Sequence, residues 1–171
     1  MLPVLGQNGA PELDPFHNVS HLSAILVRRD RPGEPRLIGL TEENLRWFIE
    51  AHSQALILER GQRMAQFAPH TFDFFFCELI AALCAGACLV LLPEEVCSGF
   101  GLVNLSDMLD RTKVEVVSTT PSVLELVEPG PHLRRIYSGG ERLPSALVRR
   151  LSREGREVTN IYGPSETTIF V

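Results

Sequence analysis

Residues 133–164 read LRRIYSGGERLPSALVRRLSREGREVTNIYGP, and this stretch decides the fold. Leu133 to Tyr137 predicts a strand, and Gly139-Gly140 interrupts it. Pro144 has no N–H to lose in a first helical turn and holds φ near the helical value, so a helix is expected over Pro144 to Arg153. Val158 to Tyr162 predicts a second strand, stopped at Gly163-Pro164. A strand, a helix and a strand in such short compass form the unit that sets neighbouring strands parallel.

Working outward, the same alternation runs upstream. Ala24 to Val27 reads as a buried strand, followed by a polar loop from Arg28 to Pro35. Thr41 is placed to cap the next helix, with Glu42 and Glu43 in the first turn where the helix dipole favours acids. Leu45, Phe48, Ile49, His52 and Leu56 recur at helical spacing. Met64 to Phe67 predicts a strand, Phe74 to Ala85 a helix ended by Gly86, and Ala87 to Leu92 a strand stopped by Pro93. Leu102 to Arg111 predicts a helix, Val114 to Val117 a strand and Ser122 to Val127 a short helix. Apolar strands alternating with helices imply an α/β fold, a doubly wound and mostly parallel sheet with helices on both faces. Ligands of such sheets bind at the carboxyl ends of the strands. Residues 1–20, rich in Pro, Gly, Asn and Asp, read as an irregular lead-in, leaving 21–171 as the folded unit.

Composition narrows the function classes. At 171 residues, with 44% hydrophobic and 22% charged, the chain is long enough to bury a core and is not of disordered type. A net charge of −5 without a basic stripe argues against nucleic acid. No run approaches ~18 apolar residues, and no basic segment followed by an apolar one opens the chain, so neither a membrane span nor a secretory signal is expected. The four cysteines, Cys77, Cys84, Cys88 and Cys97, include no CxxC pair and read as reduced thiols in a cytoplasmic protein.

The chemistry is concentrated after the last strand, in Asn160-Ile161-Tyr162-Gly163-Pro164-Ser165-Glu166-Thr167-Thr168. It offers a ring for stacking, a turn for close backbone approach, hydroxyls for phosphate and a carboxylate for a hard cation. This segment resembles the adenine- and magnesium-binding motif of the adenylate-forming superfamily, with Ser165 in place of the usual threonine. Two further stretches resemble that family in the same order. Phe72-Asp73-Phe74-Phe75-Phe76-Cys77-Glu78, followed by Ala85-Gly86-Ala87, is similar to its Phe-Asp-x-x-x-x-Glu helix and Gly-Ala exit, and Ser138-Gly139-Gly140-Glu141-Arg142-Leu143 to its Gly-Gly-Glu turn.

The resemblance is to adenylation domains of the nonribosomal peptide synthetase type, and it implies residue roles. Tyr162 would stack on adenine, with Gly139, Gly140, Glu141, Asn160 and Gly163 around the nucleotide. Ser165 would contact the α-phosphate and Glu166 would ligate Mg²⁺, so Mg-ATP is the implied cofactor. Asp73 would pair with a substrate ammonium group in a pocket lined by Phe74, Cys77, Ser118, Ile136, Ser138, Ile161, Ile169 and Phe170. That mostly apolar lining suits a small or medium apolar amino acid.

One part of the pattern is degenerate. Where the family carries a Gly-, Ser- and Thr-rich phosphate loop, this chain has Arg28-Arg29-Asp30-Arg31-Pro32, then Gly33-Glu34-Pro35-Arg36-Leu37. By that resemblance Asp30 would face phosphate with a like charge, Pro32 has no N–H, and arginine side chains do not reproduce a backbone cradle. The subdomains that flank this core in the family are also not in the sequence. The expectation is therefore a truncated, inactive adenylation-like unit acting as a structural or docking module, with neighbouring synthetase domains or a carrier protein as partners and a homodimer as an option. The alternative is the core piece of an amino-acid-activating enzyme.

Overall fold

The computed structural model describes residues 22–28, 35–52, 58–97 and 99–170. The lead-in over 1–20, most of the polar loop that stands for the phosphate loop (29–34), Leu56 and Val171 lie outside the described residues.

Five strands form one parallel sheet in the order β4-β3-β5-β6-β7. They are β3 (Arg63–Gln66), β4 (Cys88–Leu91), β5 (Val116–Thr119), β6 (Arg135–Ser138) and β7 (Glu157–Asn160). Neighbours pair in register, Val116 to Thr119 with Arg135 to Ser138, and those in turn with Glu157 to Asn160. Two apolar clusters cover the two faces. On one, α1 (Glu42–His52) and α2 (Phe74–Ala85) bring Phe48, Phe74, Cys77 and Ala82 against Met64, Val116 and Tyr137. On the other, Leu105, Leu109, Leu124, Leu147 and Leu151 meet Ala65, Val117 and Ile136. These leucines come from α4 (Leu105–Arg111), α5 (Pro121–Leu124) and α6 (Ser145–Leu151). Each fully buried leucine stabilises the fold by about 1.5–3 kcal/mol relative to exposure. The chain leaves β3 across the α2 face to reach β4, then returns across the α4 face to β5. Strand order thus reverses between β3 and β5, and α/β sheets bind ligands at such a point.

Local chemistry explains the boundaries. The Asn44 backbone N–H donates to Thr41 Oγ1, and the Thr41 N–H donates back to Asn44 Oδ1, each at 3.1 Å. This reciprocal cap starts α1 where the sequence placed it. Gly86 ends α2 at φ +65, its N–H returning to the carbonyls of Ala82 and Leu83.

Three expectations are corrected. The strand at Ala24–Val27 forms as β1 (Leu22–Arg28) but stands outside the parallel sheet, paired antiparallel with β2 (Arg36–Thr41). It is also not buried throughout. Leu26 packs with Ile38 and Leu40, while Ile25 and Val27 point outward, 46% and 58% exposed. The helix expected over Leu102–Arg111 begins as 3-10 turns (Gly99–Asn104) before α4, and a further short helix, α3 (Glu94–Cys97), precedes it. At the sheet edge β7 is mostly exposed rather than apolar on both faces.

Candidate functional site

All three motif stretches open at the carboxyl ends of strands. Asp73 follows β3 and starts α2, its backbone carbonyl accepting the N–H groups of Phe76 and Cys77 at 3.0 and 3.4 Å. Its side chain makes no cap hydrogen bond to the helix. The carboxylate instead accepts a short hydrogen bond from the Ser165 hydroxyl, 92 residues away in sequence. Both residues line a cavity of about 340 Å³, with Leu26, Val27, Phe72, Phe74 and Ile161 as its apolar wall. Asp73 is buried there, at 5% exposure.

The turn after β6 packs against this wall. A Cβ at Gly139 would lie 2.6 Å from the Ile161 carbonyl oxygen and 2.8 Å from Phe74 Cζ, so only glycine fits without displacement. Glu141 accepts from the Ser122 backbone N–H at 3.1 Å and from the Ser122 hydroxyl, tying the turn to the start of α5. Gly140, Glu141, Arg142, Asn160, Tyr162 and Gly163 border an open groove of about 1010 Å³. Tyr162 is 74% exposed, with its ring open to cover by a flat ligand. Glu166 lies on the single 3-10 turn Ser165–Thr167 and is exposed. Thr168 and Ile169, which close this turn, sit at φ +68 and +73, where branched side chains are strained.

A buried acid fixes the loop between β3 and Asp73. Glu78 Oε2 accepts the N–H groups of Phe67 and Ala68, each at 3.0 Å. Burial pushes this carboxyl up to about 8, although the two amides pull the other way. Burial, with the charges of Glu78 and Asp73 adding to it, likewise raises the Cys77 thiol well above the ordinary range, which leaves it inert. The four cysteines are free, with Cys77 buried, Cys88 and Cys97 half-buried and Cys84 exposed.

The expected substrate pocket assembles only in part. Asp73, Phe74 and Ile161 line the cavity. Cys77, Ile169 and Phe170 are packed into the neighbouring cluster, the Phe170 ring lying edge-on to Phe48 at 5.0 Å. The Ser118 and Ser138 hydroxyls are buried without a hydrogen-bond partner among the described residues. Ile136 faces the other side of the sheet, among Leu124, Leu147 and Leu151, and strand alternation turns Ser138 the same way. Tyr137 takes the pocket-side position in its place, clustered with Phe74 and Cys77. The sequence reading missed Tyr137, and also Leu26, Val27 and Phe72 of the cavity wall. Tyr137 pairs with Ser118 across β5 and β6, which puts the two on one face of the sheet.

The family model described as AMP-binding enzyme matches residues 33–171, a range that contains all three motif stretches. The chain belongs to that family. Malpinin synthetase from Mortierella alpina is 33% identical over 151 residues, covering 86% of this chain and 2% of that protein. A hybrid PKS-NRPS synthetase from Cordyceps militaris is 33% identical over 154 residues, 87% of this chain and 9% of its own length. The Vibrio cholerae adenylation domain AlmE, in complex with glycyl-adenosine-5'-phosphate, superposes with a TM-score of 0.80 at 26% identity, over 91% of this chain and 30% of that one. The chain thus has the adenylation-domain fold and spans only a small part of the synthetases it matches. Among the described residues no helix is long and apolar enough to cross a membrane.

Proposed function

We propose that this chain carries the nucleotide- and amino-acid-facing part of an ATP-dependent amino-acid-adenylating site within a nonribosomal peptide synthetase-type assembly. The observation that supports it best is the meeting of Asp73 and Ser165 over one cavity beside the Tyr162 groove. Asp73, in a partly dry wall, attracts an ammonium group because an ion pair strengthens as the dielectric falls. Tyr162 stacks on the base, and the Gly139-Gly140 backbone closes against it. Ser165 donates to the α-phosphate as the substrate carboxylate attacks its phosphorus, forming the acyl-adenylate while the bond to the β-phosphate oxygen breaks and pyrophosphate leaves.

Divalent magnesium fits this donor set in one way. Glu166, exposed on the Ser165–Thr167 turn, would hold the ion together with phosphate oxygens of the nucleotide, since carboxylate and phosphate oxygens suit a hard cation. When bound, the ion neutralises charge developing on the phosphates.

Titration of the folded chain with Mg-ATP by calorimetry tests the reading. Saturable binding, weakened about tenfold or more by Glu166→Ala, is expected for the loss of one charged ligand worth ~1.5–3 kcal/mol. A flat titration of folded protein rejects it.

The second reading, an inactive docking module for neighbouring domains, a carrier protein or a second copy, draws on the arginine- and proline-bearing stretch at 28–32. It draws also on exposed apolar side chains on β1 and β4, Ile25, Val27 and Leu91.

A further inference from the structure

We propose that the Ser165–Asp73 hydrogen bond couples the two ligand subsites, so that an ammonium-bearing ligand at Asp73 releases the Ser165 hydroxyl to an anionic ligand beside it. The idea rests on the adenylating reading above and extends it from which ligands bind to how each sets the other's affinity.

The coupling follows from the geometry. A serine hydroxyl has one proton to donate. In this structure it goes to Asp73 Oδ2, so it is not available to a phosphate oxygen. Asp73 is buried at the mouth of α2 and its side chain does not cap that helix, so the Ser165 proton is aimed at a carboxylate in an apolar wall. An anion arriving alone must take that proton from Asp73. The carboxylate then loses a donor in a poorly solvated site while a like charge settles beside it. An ammonium group removes both penalties. It supplies up to three N–H donors and a compensating charge, and charge-assisted bonds of this kind exceed what a neutral hydroxyl provides. Ser165 is then free to turn towards the anion.

The turn that holds Ser165 suits such a role. It is a single 3-10 turn following Pro164, closed by strained residues at Thr168 and Ile169, and Ile169 is anchored at 1% exposure. The hydroxyl can therefore reorient while the backbone beneath it stays fixed by the buried anchor. Ser165 acts here as a positioning residue for the amine subsite and as a donor for the anion subsite, one proton serving each in turn.

Coupling between sites is reciprocal, so each ligand tightens the other by the same factor. A hydrogen bond to a charged group corresponds to roughly a tenfold change in affinity or more.

Calorimetry on the folded chain tests this. Mg-ATP is titrated alone and in the presence of alanine, valine, leucine or phenylalanine, and of 3-methylbutanoate, which is valine's carbon skeleton without the ammonium. The expected result is that an amino acid tightens Mg-ATP about tenfold while 3-methylbutanoate does not. Ser165→Ala is expected to bind the amino acid more tightly than wild type, because Asp73 has lost its competing donor, and to show no tightening of Mg-ATP. Ser165→Thr, which keeps the hydroxyl, retains the coupling. Wild-type protein that binds both ligands independently, or Ser165→Ala that stays coupled, overturns the proposal and leaves the adenylating reading standing. Folded protein that binds neither Mg-ATP nor any of the four amino acids overturns both.

Discussion

At the scale of single residues, Glu78 is the group whose chemistry reaches furthest. It holds the Phe67 and Ala68 amides and thereby sets where the chain enters Asp73, while its second oxygen, Oε1, is buried with no hydrogen-bond partner among the described residues. Burial raises its carboxyl from 4.5 to about 8, so the folded state keeps a proton that the unfolded chain has released. The contribution to stability is fully present below about 4.5 and is lost as pH rises through about 8. Thermal unfolding followed from pH 5 to 8.5 is expected to show stability falling across that window. Glu78→Gln, which keeps an acceptor for both amides and cannot ionise, flattens the profile. Glu78→Leu leaves two buried amides unpaired and costs about 1–3 kcal/mol for each. A Glu78→Gln profile as steep as that of wild type refutes this assignment.

At the scale of elements, the turn between β6 and α6 is a tight joint of the site. Gly139→Ala puts a methyl group 2.6 Å from a backbone oxygen, that of Ile161, which does not swing aside as a side chain end would. The expected cost is about 1–3 kcal/mol of stability, with weaker Mg-ATP binding because the turn and Tyr162 move apart. Denaturant unfolding and calorimetry of the same sample measure both, and an unchanged midpoint contradicts the close packing. Elements also show what the sequence makes legible. Helix α2 is readable to the residue because Gly86 takes a left-handed conformation at its end. Thr41 announces α1 because its side chain and that of Asn44 cap each other. The facing of β6 is not readable. Ile136 and Tyr137 are both buried, at 0% and 2% exposure, so a central strand apolar on both sides carries no period of two. The resemblance implies Ile136 and Ser138 for the pocket lining, and no period of two in the strand is there to set against it, whereas in the structure Tyr137 clusters with Phe74 and Cys77 on that side. Strand β2 escapes notice because Leu37-Ile38-Gly39-Leu40 adjoins a polar loop and is interrupted by a glycine.

At the scale of the whole molecule, the two sheets differ in how completely they are covered. The parallel sheet is closed on both faces by helices. The β1–β2 hairpin is closed on one. Its inner residues Leu26, Ile38 and Leu40 pack with Leu45 and Phe76, and two-stranded ribbons need such backing to be stable in water. Its outer face carries Ile25 and Val27, two apolar side chains two residues apart on one strand and hence on the same side. Val27 also lines the cavity beside Asp73, so whatever covers this face borders the site. In the docking reading proposed above, this face is where a neighbouring unit or a second copy would sit. Sedimentation velocity across a concentration series is expected to show association of the wild-type chain, together with binding of an apolar dye. Ile25→Lys with Val27→Lys places two charges on the outer face without touching Leu26, Ile38 or Leu40. The double variant should sediment as a monomer, lose most of the dye signal and keep its unfolding midpoint. A wild-type chain that is monomeric at all concentrations and binds no dye removes the docking face. If association persists in the double variant, it arises elsewhere, and the exposed edge strand β4 with Leu91, 72% exposed, is the next surface to charge.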